Sequence, residues 1–248
     1  MSDRLRRGAR TAALWDQLGA ALAEKAGALG VATLDIVDVG GGSGVFAVPL
    51  AAAGHRVSVV DPSPNALAAL DRRAAEAGLP GRVRAVQGEA AALVELVGAS
   101  SVDVVLCHGV LELADDPVAA LAGVSGVLRP GGIASVVAAQ RSAAVVAKAI
   151  AGHLTDAWRI LDDPDGRWGG TDPLPRRFDE DGLVMLVTRS GLTVSDVYGT
   201  RVFTDLVPGA VADDPADSAA LAELEAAAVS HHAFRALATA LHIVAVRS

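Results

Sequence analysis

The chain has 248 residues, 52% apolar but only 3% aromatic, so a core of Ala, Val and Leu is expected in one α/β domain spanning 1–248. Its net charge of −8 disfavours broad sequence-independent binding to nucleic acid, while leaving room for one local basic patch. No apolar run has the length of a membrane span, the basic start (Arg4, Arg6, Arg7, Arg10) is interrupted by Asp16 and Glu24 in a way that suits no signal peptide, and a lone Cys107 excludes an internal disulfide or a cysteine zinc site; a cytoplasmic chain off the membrane and without a metal is expected.

The first expected strand is LDIVDVG (34–40), where Val37 and Val39 flank Asp38. Behind it four glycines fall within 40–44, and an apolar helix is expected near 44–53. Glycine permits positive φ and lets a ligand touch the main chain, and a helix N-terminus just behind offers unpaired N–H groups. The pattern alone leaves two ligands open. Gly42-Ser43-Gly44-Val45-Phe46-Ala47 fits the dinucleotide fingerprint G-x-G-x-x-G/A, the mark of a nicotinamide-dependent oxidoreductase. Asp38 to Gly44 fits the looser D-x-G-x-G-x-G loop of enzymes that bind S-adenosylmethionine.

Strand two is RVSVVD (56–61), followed by a helix at 64–77 punctuated by Ser63 as N-cap, Pro64 at the first helical position and Gly78 past the end. RVRAVQG (82–88), a helix at 89–97, SVDVVLCHG (101–109), a helix at 117–127 opened by Asp116-Pro117, and GGIASVVAA (131–139) continue the alternation. Such alternation with Val-rich strands implies a parallel sheet wound right-handedly. Residues 140–178 are expected to form a long irregular, lid-like segment. A helix (179–190), strand six (192–199), a loop (200–217), a helix (218–230) and a terminal strand (240–247) close the chain. The expected architecture is α/β and Rossmann-like, a seven-stranded, mostly parallel sheet with a C-terminal antiparallel strand.

Asp61 closes strand two, where a carboxylate can accept both hydroxyls of a ribose; dinucleotide and S-adenosylmethionine sites both use one. Three features favour the latter. Asp38 lies inside strand one, able to organise the loop or meet an ammonium, where a dinucleotide site usually has an apolar residue. VLRPGG (127–132) reads as the turn into strand five, and the last two strands form a helix-free pair.

On these stretches the chain resembles class I S-adenosylmethionine-dependent methyltransferases, and more narrowly the bacterial tRNA 5-carboxymethoxyuridine methyltransferase family. The narrower likeness rests on ARTAALWDQL (9–18), LDIVDVGGGSG (34–44), VLCHGVLELADDP (105–117), VLRPGG, GTRVFTDL (199–206) and LATALHIVAVR (237–247). The resemblance implies S-adenosyl-L-methionine as cofactor. It puts Arg10 on the cofactor's carboxylate, Gly40, Gly41 and Gly42 against its amino-acid part, Asp61 on the ribose, Glu89 and Ala90 around the adenine, and His108 near the methyl group. The implied reaction is O-methylation of a tRNA wobble uridine derivative at a carboxylate or hydroxyl. A carboxylate acceptor is already ionised at neutral pH, so no general base is required, and no catalytic dyad is evident. Arg201 is the candidate for gripping that acceptor, since a guanidinium binds oxyanions in a bidentate fashion. Arg176 and Arg177 could touch RNA phosphates, and Trp158 and Trp168 either stack on a splayed base or pack as part of a lid. One segment departs from the family: its lysine-rich run after strand five is replaced by Asp162, Asp163 and Asp165, which would repel a phosphate backbone. A small-molecule acceptor is therefore the second reading.

Overall fold

The computed structural model describes residues 2–79, 81–208, 214–229 and 231–248, except for the side chains of 2–10 and 215. It opens with an element the motif reading did not include, a 28-residue helix α1 (Ser2–Leu29). Leu14, Leu18 and Leu22 recur every four residues and are all buried, which is the spacing that gives one helix an apolar stripe.

Seven strands follow: β1 (Asp35–Val39), β2 (Arg56–Asp61), β3 (Val83–Gln87), β4 (Val102–His108), β5 (Leu128–Ala139), β6 (Leu192–Thr200) and β7 (Ala240–Arg247). They form one sheet in the order β3-β2-β1-β4-β5-β7-β6, mostly parallel with antiparallel C-terminal strands. Strand β1 pairs in parallel with both β2 and β4, so Asp38 lies opposite Val59 on one side and Leu106 on the other. The strand order reverses at β1 and β4, and in open α/β sheets a ligand crevice forms beyond the carboxyl ends of the strands at such a point. β4 is buried from Val102 to Cys107 because a parallel strand is covered on both faces.

The first helices are α2 (Ala47–Ala52), α3 (Pro64–Glu76), a single 3₁₀ turn (Ala90–Ala92) running into α4 (Leu93–Val97), and α5 (Pro117–Val127). Their punctuation matches the expectation. The Ser63 hydroxyl accepts from the Ala66 N–H at 3.3 Å, and one Asp116 oxygen accepts from Val118 and Ala119 at 2.8 and 3.0 Å.

Three boundaries differ from the expectation. VLRPGG is not a turn ahead of strand five, because β5 already begins at Leu128 and runs through it. Arg129 explains why: its guanidinium donates to Asp103 at 2.6 Å and to Asp35 at 3.2 Å, and Asp35 also pairs with Arg56, tying β5 to the amino ends of β1 and β4. The stretch 140–178 is only partly irregular, since it holds α6 (Arg141–Ile150) and α7 (Leu154–Asp162). The later helices are α8 (Glu180–Arg189), α9 (Pro215–Ala228), which starts inside the expected loop, and α10 (His232–Arg235).

By contacts the chain divides into two compact units, each discontinuous in sequence. One comprises Ala21–Val136, Val184–Ser195 and Val244–Ser248 and contains the glycine crook. The other comprises Met1–Ala20, Val137–Leu183 and Asp196–Ile243 and contains Arg177 and Arg201. Among the described residues no helix is long and apolar enough to cross a membrane.

Candidate functional site

In the first unit the crook leaves β1 at Gly40, whose N–H donates to the Val60 carbonyl of β2 at 2.7 Å. Two of its glycines are sterically required. A Cβ on Gly41 would lie 2.4 Å from Asp38 Oδ2, and Gly44 combines φ of 80° with only 2.3 Å from a Cβ position to Leu70 Cδ1. Of this crook, Gly40 presents its main chain to the neighbouring cavity. The helix behind it starts at Ala47 rather than 44 and has six residues.

Asp38 is 2% exposed, and among the described residues its Oδ2 has no hydrogen-bond partner. Burial, and then the nearby charge of Asp61, push its carboxyl up to about 7, against the lowering effect of the Ala47 N–H. A buried acid in that state gains from a cation placed beside it. Asp61 is also buried; its Oδ2 accepts from the Gly42 N–H at 2.9 Å and its Oδ1 from the Ser63 N–H at 2.8 Å. A carboxylate offers about four lone-pair sites, so two remain for a pair of hydroxyls.

Gly40 and Asp61 border a cavity of about 560 Å³, a size suited to a nucleoside-sized ligand. Glu89 and Ala90 line it too, as does a wall the motif reading left unassigned: Pro62, Val110, Leu113 and Ala114. The signal for that wall was present. Leu113 is 59% exposed in a loop straight after β4, and a large apolar side chain kept in solvent next to a cavity marks a ligand surface. Among the described residues, four carboxylates (Asp61, Glu89, Asp115 and Asp116) line the cavity and no Lys or Arg side chain does. That donor set suits a ribose on a cationic ligand. It opposes the pyrophosphate of a dinucleotide, whose negative charges would be repelled by these carboxylates.

S-adenosylmethionine passes this test. Asp38 and Asp61 could supply the negative charge its cationic part needs, the bare crook could accept a group against the main chain at Gly40, and the apolar wall could lie against a purine. Asp38, Gly41 and Gly42 support the cavity from behind without bordering it. The side chain of Arg10 lies outside the described residues.

One residue stands differently from what the resemblance implies. His108 does not line the cavity; Gly109 and Val110 do. The His108 Nε2 instead shares a 2.8 Å hydrogen bond with Ser135 Oγ, and its ring meets Phe46 edge-on at 4.9 Å, so strand β5 and the start of α2 hold it. Cys107 is fully buried, and burial pushes its thiol up to about 12, which leaves it a packing residue.

In the second unit, Arg177 corrects a second expectation. It is 7% exposed and makes a bidentate pair with Asp172 at 2.7 and 2.9 Å, while also donating to the Gly166 carbonyl. Its cation braces its own loop in place of a phosphate contact. Trp168 lies beneath both Arg177 and Lys148, at 4.5 and 3.9 Å from ring centre to charge, so it packs within the segment. Trp158 remains 63% exposed. Arg201 differs from Arg177. Its side chain is one-third exposed, with Asp205 at 3.5 Å, and its backbone sits at φ 58°.

Comparison with known proteins agrees with this geometry. Residues 37–136 match the protein-family model described as a methyltransferase domain. The tRNA 5-carboxymethoxyuridine methyltransferase of Escherichia coli (strain K12) is 28% identical over 196 residues, covering 79% of this chain and 72% of that protein. The ubiquinone biosynthesis O-methyltransferase of Methylobacterium sp. (strain 4-46) is 29% identical over 170 residues, 68% of this chain and 64% of that protein. Among solved structures, the magnesium protoporphyrin IX methyltransferase of Synechocystis PCC 6803 with bound SAH has a TM-score of 0.61 at 16% identity, covering 97% of this chain and 86% of that one. A SAM-dependent methyltransferase from Methanosarcina mazei has the same TM-score at 20% identity, with 87% and 93% covered.

Proposed function

We propose that this chain, an S-adenosylmethionine-dependent methyltransferase, O-methylates a carboxylate carried by a modified wobble uridine of tRNA. The observation that carries the reading is Arg201. It is a partly exposed guanidinium held in an unusual backbone conformation, with an adjustable 3.5 Å ion pair rather than a bidentate one. The likeness to the E. coli tRNA enzyme, which extends over most of both chains, supports it.

When bound, the cofactor supplies an electrophilic methyl group on a cationic sulfur. Asp61 would hold the ribose hydroxyls, Asp38 would offset the positive charge from beneath the crook, and Ala90, Val110 and Leu113 would enclose the base. Arg201 would exchange its Asp205 contact for the acceptor carboxylate, a stronger and more directional bond when made through both guanidinium nitrogens. An ionised carboxylate already has the lone pair it needs, so the residues left to the protein are those that orient it and strip its water.

A small-molecule acceptor is the second reading. It is favoured by Asp162, Asp163 and Asp165, where a phosphate backbone would meet repulsion, and by the ubiquinone O-methyltransferase relatives. One experiment separates the two readings. The purified protein is incubated with S-adenosylmethionine and tRNA from cells lacking the gene, and the nucleosides are digested and weighed by mass spectrometry. A uridine derivative heavier by one methyl, formed by the wild type and much reduced in Arg201→Ala, is expected. Unchanged tRNA would reject the RNA acceptor in favour of the small molecule.

A further inference from the structure

Arg201 is held at φ 58°, a left-handed conformation uncommon for a residue with a Cβ and persistent only where the surroundings over-determine it. The surroundings do so from both sides. Ahead of it in space, the Arg201 carbonyl accepts from the Thr239 N–H at 3.2 Å and the Thr239 hydroxyl at 2.9 Å. Behind it, three consecutive amides converge on one acid of α9. Val202 donates to Glu225 Oε2 at 2.9 Å, while Phe203 and Thr204 donate to Oε1 at 2.8 and 2.7 Å. The Thr204 hydroxyl adds a fourth bond to Oε1 at 2.6 Å. Glu225 is 4% exposed and Val202 is packed with Ala228 and Ala238, so this knot is sealed from water.

Successive amides following a left-handed residue form a concavity that takes an anion, and here the anion is part of the chain. We propose that Glu225 is a positioning residue for the acceptor: by gathering these amides it fixes Arg201 in the one backbone geometry from which its guanidinium meets an oxyanion. This rests on the reading of Arg201 as the acceptor's anchor. Glu225 itself touches neither cofactor nor acceptor.

The test uses Glu225→Gln, which keeps the size but replaces one acceptor oxygen with an N–H₂ facing donors, and removes the charge that strengthens all four bonds. Three quantities are read on the full chain: amide hydrogen exchange at 202–204, calorimetric affinity for S-adenosylhomocysteine, and KM for tRNA from cells lacking the gene. Faster exchange at 202–204, a roughly tenfold higher acceptor KM and unchanged cofactor affinity are expected. Thr204→Val, which deletes only the hydroxyl bond, is the milder variant if Glu225→Gln does not fold, and should raise KM by about two- to fivefold. In the double variant, Glu225→Gln should add nothing to Arg201→Ala, because both act through one guanidinium. If Arg201→Ala raises KM while Glu225→Gln or Thr204→Val loosens the amides and leaves KM alone, Glu225 is only a brace and the proposal falls by itself. If Arg201→Ala leaves KM unchanged, the reading of Arg201 falls and takes this proposal with it.

Discussion

At 40–44 the chain takes positive φ at Gly40, Gly42 and Gly44, where no side chain resists; at Arg201 it takes φ 58° with a full arginine attached. The crook's bends are written in adjacent glycines, and the end of β2 ties them down through Val60 and Asp61. The arginine loop is conditional, since its shape depends on Glu225 in a later helix and on Thr239 just before β7. Under the proposed function the contrast would suit two tasks: a cofactor common to many enzymes can be met by bare main chain, whereas a particular acceptor would call for a particular side chain.

The largest effect expected from this contrast concerns Asp38, whose carboxyl is pushed up to about 7 in the folded chain. Between pH 4 and 7 the folded state holds a proton there that the unfolded chain has released, so the stability contributed by this group declines as pH rises through that window and is level outside it. Asp38→Asn should abolish this decline, gaining up to about 4 kcal/mol over wild type at pH 8 relative to pH 4, read by urea unfolding at both values. An identical pH profile for the two proteins would mean that Asp38 is ionised throughout and that its burial is offset elsewhere. Next in size, Asp61→Ala should weaken S-adenosylhomocysteine binding about 100-fold, because two ribose hydroxyls and the Gly42 and Ser63 amides all lose their acceptor. Retained affinity in a calorimetric titration would remove Asp61 from the site. The smallest effect is the most direct comparison of the regions. Gly44→Ala should cost about 2 kcal/mol of unfolding free energy, from its φ and from Leu70. Arg201→Gly should change stability by less than about 1 kcal/mol, since glycine relieves the strain that Glu225 otherwise maintains. Equal losses at both positions would show that the two bends are held in the same way.

The parallel strands were legible because Val-rich runs bounded by glycine, proline and capping residues leave few alternatives. Helices α6 and α7 were not, because Gly152 separates two short helices and the turn chemistry of DDPDG dominated the stretch; α7 also exposes Leu154, Trp158 and Leu161, blurring the usual inward apolar pattern. In the site, residues whose meaning is local to the backbone, such as Gly41 and Asp61, could be picked out from order along the chain. Arg177 could not, since nothing in RRFDE says that its partner is Asp172 across a proline-rich loop. Glu225 was missed for the opposite reason: it looks like ordinary helix-surface charge in LAELEAAA. Its spacing carried the signal, because Leu221, Glu225 and Ala228 fall four and three residues apart on one face, and both neighbours are buried.

The two amides on Asp61 have a consequence for how a nucleoside arrives. Gly42 and Ser63 each bond a different oxygen of the acid, so in the proposed binding the incoming hydroxyls would join bonds already formed. A crook already tied to Asp61 in the folded chain would leave the proposed guest little backbone to order, so its binding would be preorganised.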